Sequence, residues 1–151
     1  MTESANTMPA QVSIVIPCRN EIVFINRCLS SVFRFEGMDQ DVEVLVVDGL
    51  SDDGTRECLV EWQRAKPNLR ILDNPDRIVP TALNIGIKAA RGQLLIRLDA
   101  HSEYPPEYLR LCIETSKRTQ AENVGGILIT MSRTSSREAR LVQALTTHRF
   151  G

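Results

Sequence analysis

The sequence has no excess of charge of either sign, no long apolar run, no paired-cysteine motif and no repeat. Each absence closes a class of function. Its 18 Lys and Arg balance 19 Asp and Glu, and the basic residues are scattered along the chain. A nucleic-acid footprint needs a basic patch or stripe, so nucleic acid is not expected as a partner. No apolar stretch approaches the roughly 18 residues of a membrane span. The start, residues 1–11, is polar and lacks the basic region and apolar core of a signal peptide; it reads as a short disordered lead. The four cysteines, Cys18, Cys28, Cys58 and Cys112, form no C-x-x-C pair and match no zinc spacing. Each falls beside apolar residues in an expected strand or helix, as a small buried hydrophobe of a reducing compartment would.

What remains is an ordinary globular composition, 42% hydrophobic and 25% charged over 151 residues, enough for one domain with a real core. Residues 12–17 (VSIVIP) form a short β-branched run stopped by proline and read as a buried strand. Residues 21–35 carry Ile22, Ile25, Leu29, Val32 and Phe33 at helical spacing. A second buried strand is expected over 42–47, a helix from the 51–55 segment to about Lys66, and a third strand over 69–72. A helix over 81–90, capped by Gly92, and a fourth strand over 93–98 follow. Pro105 and Pro106 open another helix to about Thr119. A strand over 126–131 and a last helix from Ser135 or Ser136 complete the expected plan.

Strands that alternate with helices and are apolar along both faces imply an α/β fold, a mostly parallel sheet with helices on both sides. Such sheets bind ligands outside the carboxyl ends of their strands. The polar residues that follow the strands, Arg19-Asn20-Glu21, Asp48-Gly49, Asn74-Pro75 and Asp99 with His101, are therefore expected to face one crevice.

Asp99-Ala100-His101 is the sharpest of these. On an extended strand, residues i and i+2 point the same way, so carboxylate and imidazole converge. Two such ligands hold a divalent cation without saturating it, which leaves room for water or diphosphate oxygens. The plainer alternative is a strand that ends in a polar turn. Asn20 and Glu21 either hydrogen-bond a heterocycle or cap the first helix. Asp48 either meets a ribose or base, as acids in this place do, or caps. Asp52 and Asp53 read as helix caps. Gly86, inside a helical pattern, points to close packing or close ligand approach. Arg77, Lys88, Arg91 and Arg97 are candidates to meet a diphosphate. His148 has no partner pattern and reads as exposed.

Residues 12–21 (VSIVIPCRNE), 46–55 (VVDGLSDDGT), 82–92 (ALNIGIKAARG) and 97–101 (RLDAH) occur in the order and spacing of family 2 glycosyltransferases. These are inverting enzymes with a GT-A fold. The RLDAH–SEYP wording resembles the bacterial exopolysaccharide enzymes of the succinoglycan-biosynthesis type. The resemblance implies a UDP-sugar donor, Mn²⁺ or Mg²⁺ as cofactor, and a saccharide or lipid-linked acceptor in polysaccharide biosynthesis. It implies Pro17, Arg19, Asn20 and Glu21 as the wall of the nucleotide pocket and Asp48 at the uridine. Asp99 is implied at the ribose or the metal, and His101 as a metal ligand.

The sequence departs from the family in places. Gly49 stands where many members have a second acid, Leu83 where a basic residue is common, and the metal motif ends in His. Family enzymes also continue into an acceptor half with an acidic base, for which no residue of this chain is a candidate. Residues 12–151 are thus expected to form the donor-binding portion, able to bind but not to transfer. A cytoplasmic location is expected, with a longer parent chain at the cytoplasmic face of the inner membrane. A non-catalytic nucleotide-sugar-binding domain and a metal-dependent nucleotidyltransferase are the alternatives. The second would carry a Gly-rich basic loop after the first strand, which Cys18-Arg19-Asn20-Glu21 is not.

Overall fold

The computed structural model describes residues 12–38 and 42–126. The expected lead, the last helix and His148 lie outside the described residues, as does the expected strand after its first residue. The chain divides into two compact units, Met1–Arg110 and Leu111–Gly151. The described part of the second, residues 111–126, holds the end of the last described helix and the turn beyond it.

The order is β1 (Val12–Cys18), α1 (Ile25–Val32), β2 (Val42–Asp48), α2 (Thr55–Ala65), β3 (Leu69–Asp73), α3 (Val79–Ala89), β4 (Leu94–Arg97) and α4 (Tyr108–Thr119). The strands form one sheet in the order β3-β2-β1-β4, and every pairing is parallel. Val15, Leu45 and Val47 on one face pack with Ala82 of α3. The alternate residues Ile14, Ile16, Val44 and Val46 are completely buried as well. That double burial is why these strands read as unbroken apolar runs rather than as alternating ones.

Register places the crevice. β1 and β2 pair along their whole lengths, from Val12↔Val42 to Cys18↔Asp48. β4 pairs only as far as Val15↔Arg97, with Leu98 N–H adding a last bond to the Val15 carbonyl at 3.0 Å. β1 therefore runs on beyond the end of its neighbour. The chain order also reverses between β1 and β4, which makes this the switch point where open α/β sheets bind ligands.

Several expected boundaries shift for physical reasons. α1 begins at Ile25 rather than Glu21, because the Glu21 carbonyl accepts both Phe24 N–H and Ile25 N–H in a preceding turn. Gly92 does not cap α3. The helix leaves through Ala90 in extended conformation, and Gly92 N–H instead reaches Ser13 Oγ at 2.8 Å. Cys18 and Cys28 are buried as expected, but Cys58 and Cys112 are only half-buried.

Candidate functional site

The loops that follow β1 and β2 are zipped together by side chains. Asn20 Nδ2 donates to Asp52 Oδ1 at 2.9 Å while Asp52 N–H returns a bond to Asn20 Oδ1 at 3.0 Å. Asn20 N–H reaches Ser51 Oγ, Glu21 N–H reaches Thr55 Oγ1 and Ile22 N–H reaches Asp53 Oδ2. Asp53 also accepts from the Thr55 N–H and hydroxyl. Burial raises its pKa, but these bonds outweigh that and hold the carboxyl below its usual range.

Neither Asp52 nor Asp53 holds the N-cap position of α2, although the Asp53 carboxylate accepts the N–H of Thr55, the first residue of that helix. That place belongs to Gly54, at φ 97°, where a left-handed turn suits glycine. Nor do Asn20 and Glu21 cap α1 with their side chains.

Asn20 itself sits at φ 54°, as does Leu50 after β2, and Arg77 after β3 sits at 59°. Left-handed non-glycine residues persist only where surrounding structure forces them. Asn20→Ala removes the reciprocal amide pair and keeps the strained φ. It is expected to lower stability by about 2 kcal/mol, and Asn20→Gly by about half that, because only the first loses αL tolerance. Urea unfolding of both variants checks the order.

A cavity of about 270 Å³ opens at the switch point, lined among others by Arg19, Glu21, Arg77, Arg97, Asp99 and His101. Pro17, Gly49 and Asn74 also line it. Every strand-end set that was expected to face the crevice contributes a residue. Two of the expected residues are not among its lining. Asn20 is not a lining residue, since its amide is engaged by Asp52. Asp48 lies behind the wall at 1% exposure. Its carboxylate accepts from Ser51 Oγ and N–H and from Arg56, whose guanidinium also bonds Asp73 at 2.7 Å. Arg56 thereby ties the ends of β2 and β3 to α2. Of the basic candidates, Arg77 and Arg97 reach the cavity; Lys88 and Arg91 are not among its lining. Arg91 N–H bonds Glu43 near the opposite ends of the strands.

Gly49 packs tightly against the side chain of Arg19. A Cβ at this position would lie 3.1 Å from Cβ and Cδ of Arg19. A side chain here would need the arginine stem to give by a few tenths of an ångström.

Asp99 and His101 do not extend a strand. β4 stops at Arg97, and Ser102 N–H closes a turn onto the Asp99 carbonyl at 3.1 Å. The expected i, i+2 alignment on a strand is therefore wrong, although both residues line the same cavity. Tyr104 and Cys28 hold this turn. Asp99 N–H donates to the Tyr104 hydroxyl at 2.8 Å, and the Cys28 thiol lies 3.6 Å from the Asp99 carbonyl. Tyr104 N–H is fixed by Ser31 Oγ, and its ring packs with Phe35 and Tyr108. Burial pushes the Tyr104 hydroxyl and the Cys28 thiol up to about 12, so both keep their protons. Tyr104 stands in the SEYP wording that follows RLDAH, but nothing in the sequence shows that its hydroxyl meets the Asp99 backbone.

The Asp99 carboxylate is 47% exposed and pairs with Arg97 at 3.2 Å. His101 Nδ1 lies 3.2 Å from Glu21 Oε1. Among the described residues, no group of three or more His, Cys, Asp or Glu is placed to hold a metal ion. A cation caged by protein alone is therefore not built into them. A carboxylate and an imidazole on one cavity-facing turn do fit a hard divalent cation that completes its sphere with ligand oxygens.

The glycosyl transferase family 2 profile matches residues 13–147. The chain belongs to this family. Among family 2 relatives, it is 36% identical over 113 residues to the succinoglycan biosynthesis protein ExoA of Rhizobium meliloti, covering 74% of this chain and 34% of that protein. The chain spans about two fifths of the length of the curated relatives it matches. Among solved structures, it superposes with TM-score 0.64 and 25% identity on the mannosyltransferase PcManGT from Pyrobaculum calidifontis in complex with GDP-Man and Mn²⁺. That match covers 84% of this chain and 37% of the other. S. aureus TarS 1–349 in complex with UDP-GlcNAc gives TM-score 0.64 at 20% identity, over 81% of this chain and 39% of TarS, a likeness of fold. The parallel sheet with its β1–β4 crevice is the GT-A architecture of this family.

Proposed function

We propose that this chain forms the donor site of an inverting glycosyltransferase that moves a sugar from a UDP-sugar to a saccharide or lipid-linked acceptor in polysaccharide biosynthesis. The observation that carries the reading is the switch-point cavity. Three arginines, Arg19, Arg77 and Arg97, and the Asp99–His101 turn line one space at the strand ends. Arginine forks suit diphosphate oxygens. Arg19, Glu21 and Pro17 form the wall along the nucleotide, with Asp48 buried behind it and Asn20 bracing the loop through Asp52. Asp99 and His101 would hold Mn²⁺ or Mg²⁺, which when bound offsets the charge of the departing diphosphate.

Arg97 meets Asp99 and lies within reach of the same ligand, so it is placed to orient the diphosphate. Transfer with inversion requires an acceptor hydroxyl in line with the anomeric carbon and a general base, worth roughly 10²- to 10⁴-fold; no residue of this chain is assigned that role. Among the described residues, no helix is long and apolar enough to cross a membrane. The site of action proposed is the cytoplasm, at the inner face of the membrane when the domain is part of a longer chain.

Calorimetry with a UDP-sugar, with and without Mn²⁺, tests the reading. UDP-glucose is expected to bind, and more tightly with the metal. Equal affinity in Mn²⁺ and in EDTA would overturn the metal assignment, and no binding in either would overturn the donor assignment. GDP-mannose in a parallel titration reports which base the Arg19 wall accepts.

A further inference from the structure

The Glu21–His101 pair supports a sharper assignment than a shared pocket wall, one that rests on the donor-and-metal reading above. We infer that Glu21 is the positioning residue of His101: its carboxylate holds the Nδ1–H tautomer and leaves Nε2 as the metal-ligating atom.

The carboxylate of Glu21 can only accept. At 3.2 Å from Nδ1, it requires the proton of a neutral ring to sit on that nitrogen. Metal-ligating histidines typically use their second ring nitrogen in this way, and the partner fixes both tautomer and ring orientation. The ring is also met on its edge by Phe24, at 6.4 Å between centroids and 72° between planes.

Both supports are immobilised from elsewhere in the fold. Glu21 N–H is held by Thr55 Oγ1 at 2.8 Å, and Thr55 is completely buried. The Glu21 carbonyl takes Phe24 N–H and Ile25 N–H, each at 2.8 Å. On the other side, Tyr104 and Cys28 grip the Asp99 backbone that starts the His101 turn. The 3.2 Å contact thus joins side chains carried by two backbone segments that are each held in place. It also gives the 51–55 segment a task in the site: through Thr55 it sets the position of Glu21, and through Glu21 that of the imidazole.

Long-range ¹H–¹⁵N spectra of the imidazoles at a fixed alkaline pH read the tautomer directly, with His101→Ala assigning the signal against His148. The wild-type ring is expected in the Nδ1–H form, and an Nε2–H ring overturns the inference without any variant at Glu21. Mn²⁺ binding in the presence of UDP, followed by the electron paramagnetic resonance of the free ion, gives the second readout. Glu21→Ala is expected to weaken Mn²⁺ binding 10- to 100-fold, the usual cost of losing such a partner. Glu21→Gln, whose amide oxygen still accepts, is expected to stay within a few fold. Adding Glu21→Ala to His101→Ala is expected to cost nothing further. Equal Mn²⁺ affinity of wild type and Glu21→Ala would overturn the role of Glu21 and leave the metal site standing. Failure of the wild-type chain to bind Mn²⁺ would overturn both.

Discussion

Asp99→Ala is expected to abolish the manganese-dependent gain in UDP-sugar binding, a loss on the order of 100-fold or more. Loss of a partner behind a ligand already costs 10- to 100-fold, and Asp99 supplies both a ligand and the negative charge that draws the cation in. His101→Ala, which removes a neutral ligand, is expected to cost less. Asp99→Asn keeps an oxygen but no charge and is expected to fall between. The loss in Asp99→Ala is not an unfolding effect. The carboxylate is half exposed, and among the described residues its ion pair is with Arg97, itself 55% exposed; pairs of that kind contribute about 0–1 kcal/mol. The fixed part of the residue is its backbone, which Tyr104 and Cys28 hold whatever the side chain. Thermal melts are therefore expected to shift little while calorimetry shows the loss. Unchanged affinity in Asp99→Ala at saturating Mn²⁺ would remove Asp99 from the metal site.

How far the site could be read in advance follows from the range of the interactions that build it. The strands were legible because burial on both faces leaves a local mark, an apolar run such as Val44-Leu45-Val46-Val47. Parallel pairing then fixes where the strand ends go, so the loops that carry Arg19, Gly49, Asn74 and Asp99 could be placed at one crevice before any coordinates.

Roles within the loops were less legible. From their neighbours alone Asn20 looks like a cap or a ligand and Asp52 like a cap, yet they bond to each other across a separation of 32 residues. Leu50 and Arg77 carry no local preference for the left-handed conformations they adopt; the loop contacts impose them. The end of β4 was misplaced because Leu98 remains buried and apolar after the strand pairing has ceased, so hydrophobicity alone continued the strand into the turn. The family resemblance located the motifs but not the division of labour inside them. Asp48 is buried and Asn20 is turned to Asp52, so neither lines the cavity, while Glu21 and Arg97 do.

Gly86 is the position where sequence and structure agree most closely, and its substitution should have the largest effect on stability. Glycine inside an otherwise regular helix is a local conflict, since alanine there would be favoured by up to about 1 kcal/mol. The structure shows what outweighs that preference. A Cβ at Gly86 would overlap Cγ1 of Val15 and stand 3.1 Å from its Cγ2. Val15 is completely buried in β1, in the cluster with Leu45, Val47 and Ala82. A β-branched side chain has little rotamer freedom to yield, and β1 is held between β2 and β4. Gly86→Ala is therefore expected to destabilise the chain by about 1–3 kcal/mol, the usual range for an overpacked core, against the sign that helix propensity predicts. The strain also reaches the site, because the Val15 carbonyl accepts the Leu98 N–H that leads into Asp99. UDP-sugar affinity should fall along with stability. The double variant Val15→Ala with Gly86→Ala separates this cause from others, since removing both Cγ atoms of Val15 makes room for the new methyl. Urea unfolding should show the pair more stable than the sum of its single effects by roughly 0.5–3 kcal/mol. Additive losses, or a Gly86→Ala chain as stable as the wild type, would mean that α3 can move off the sheet, and the contact with Val15 would not be what keeps residue 86 a glycine.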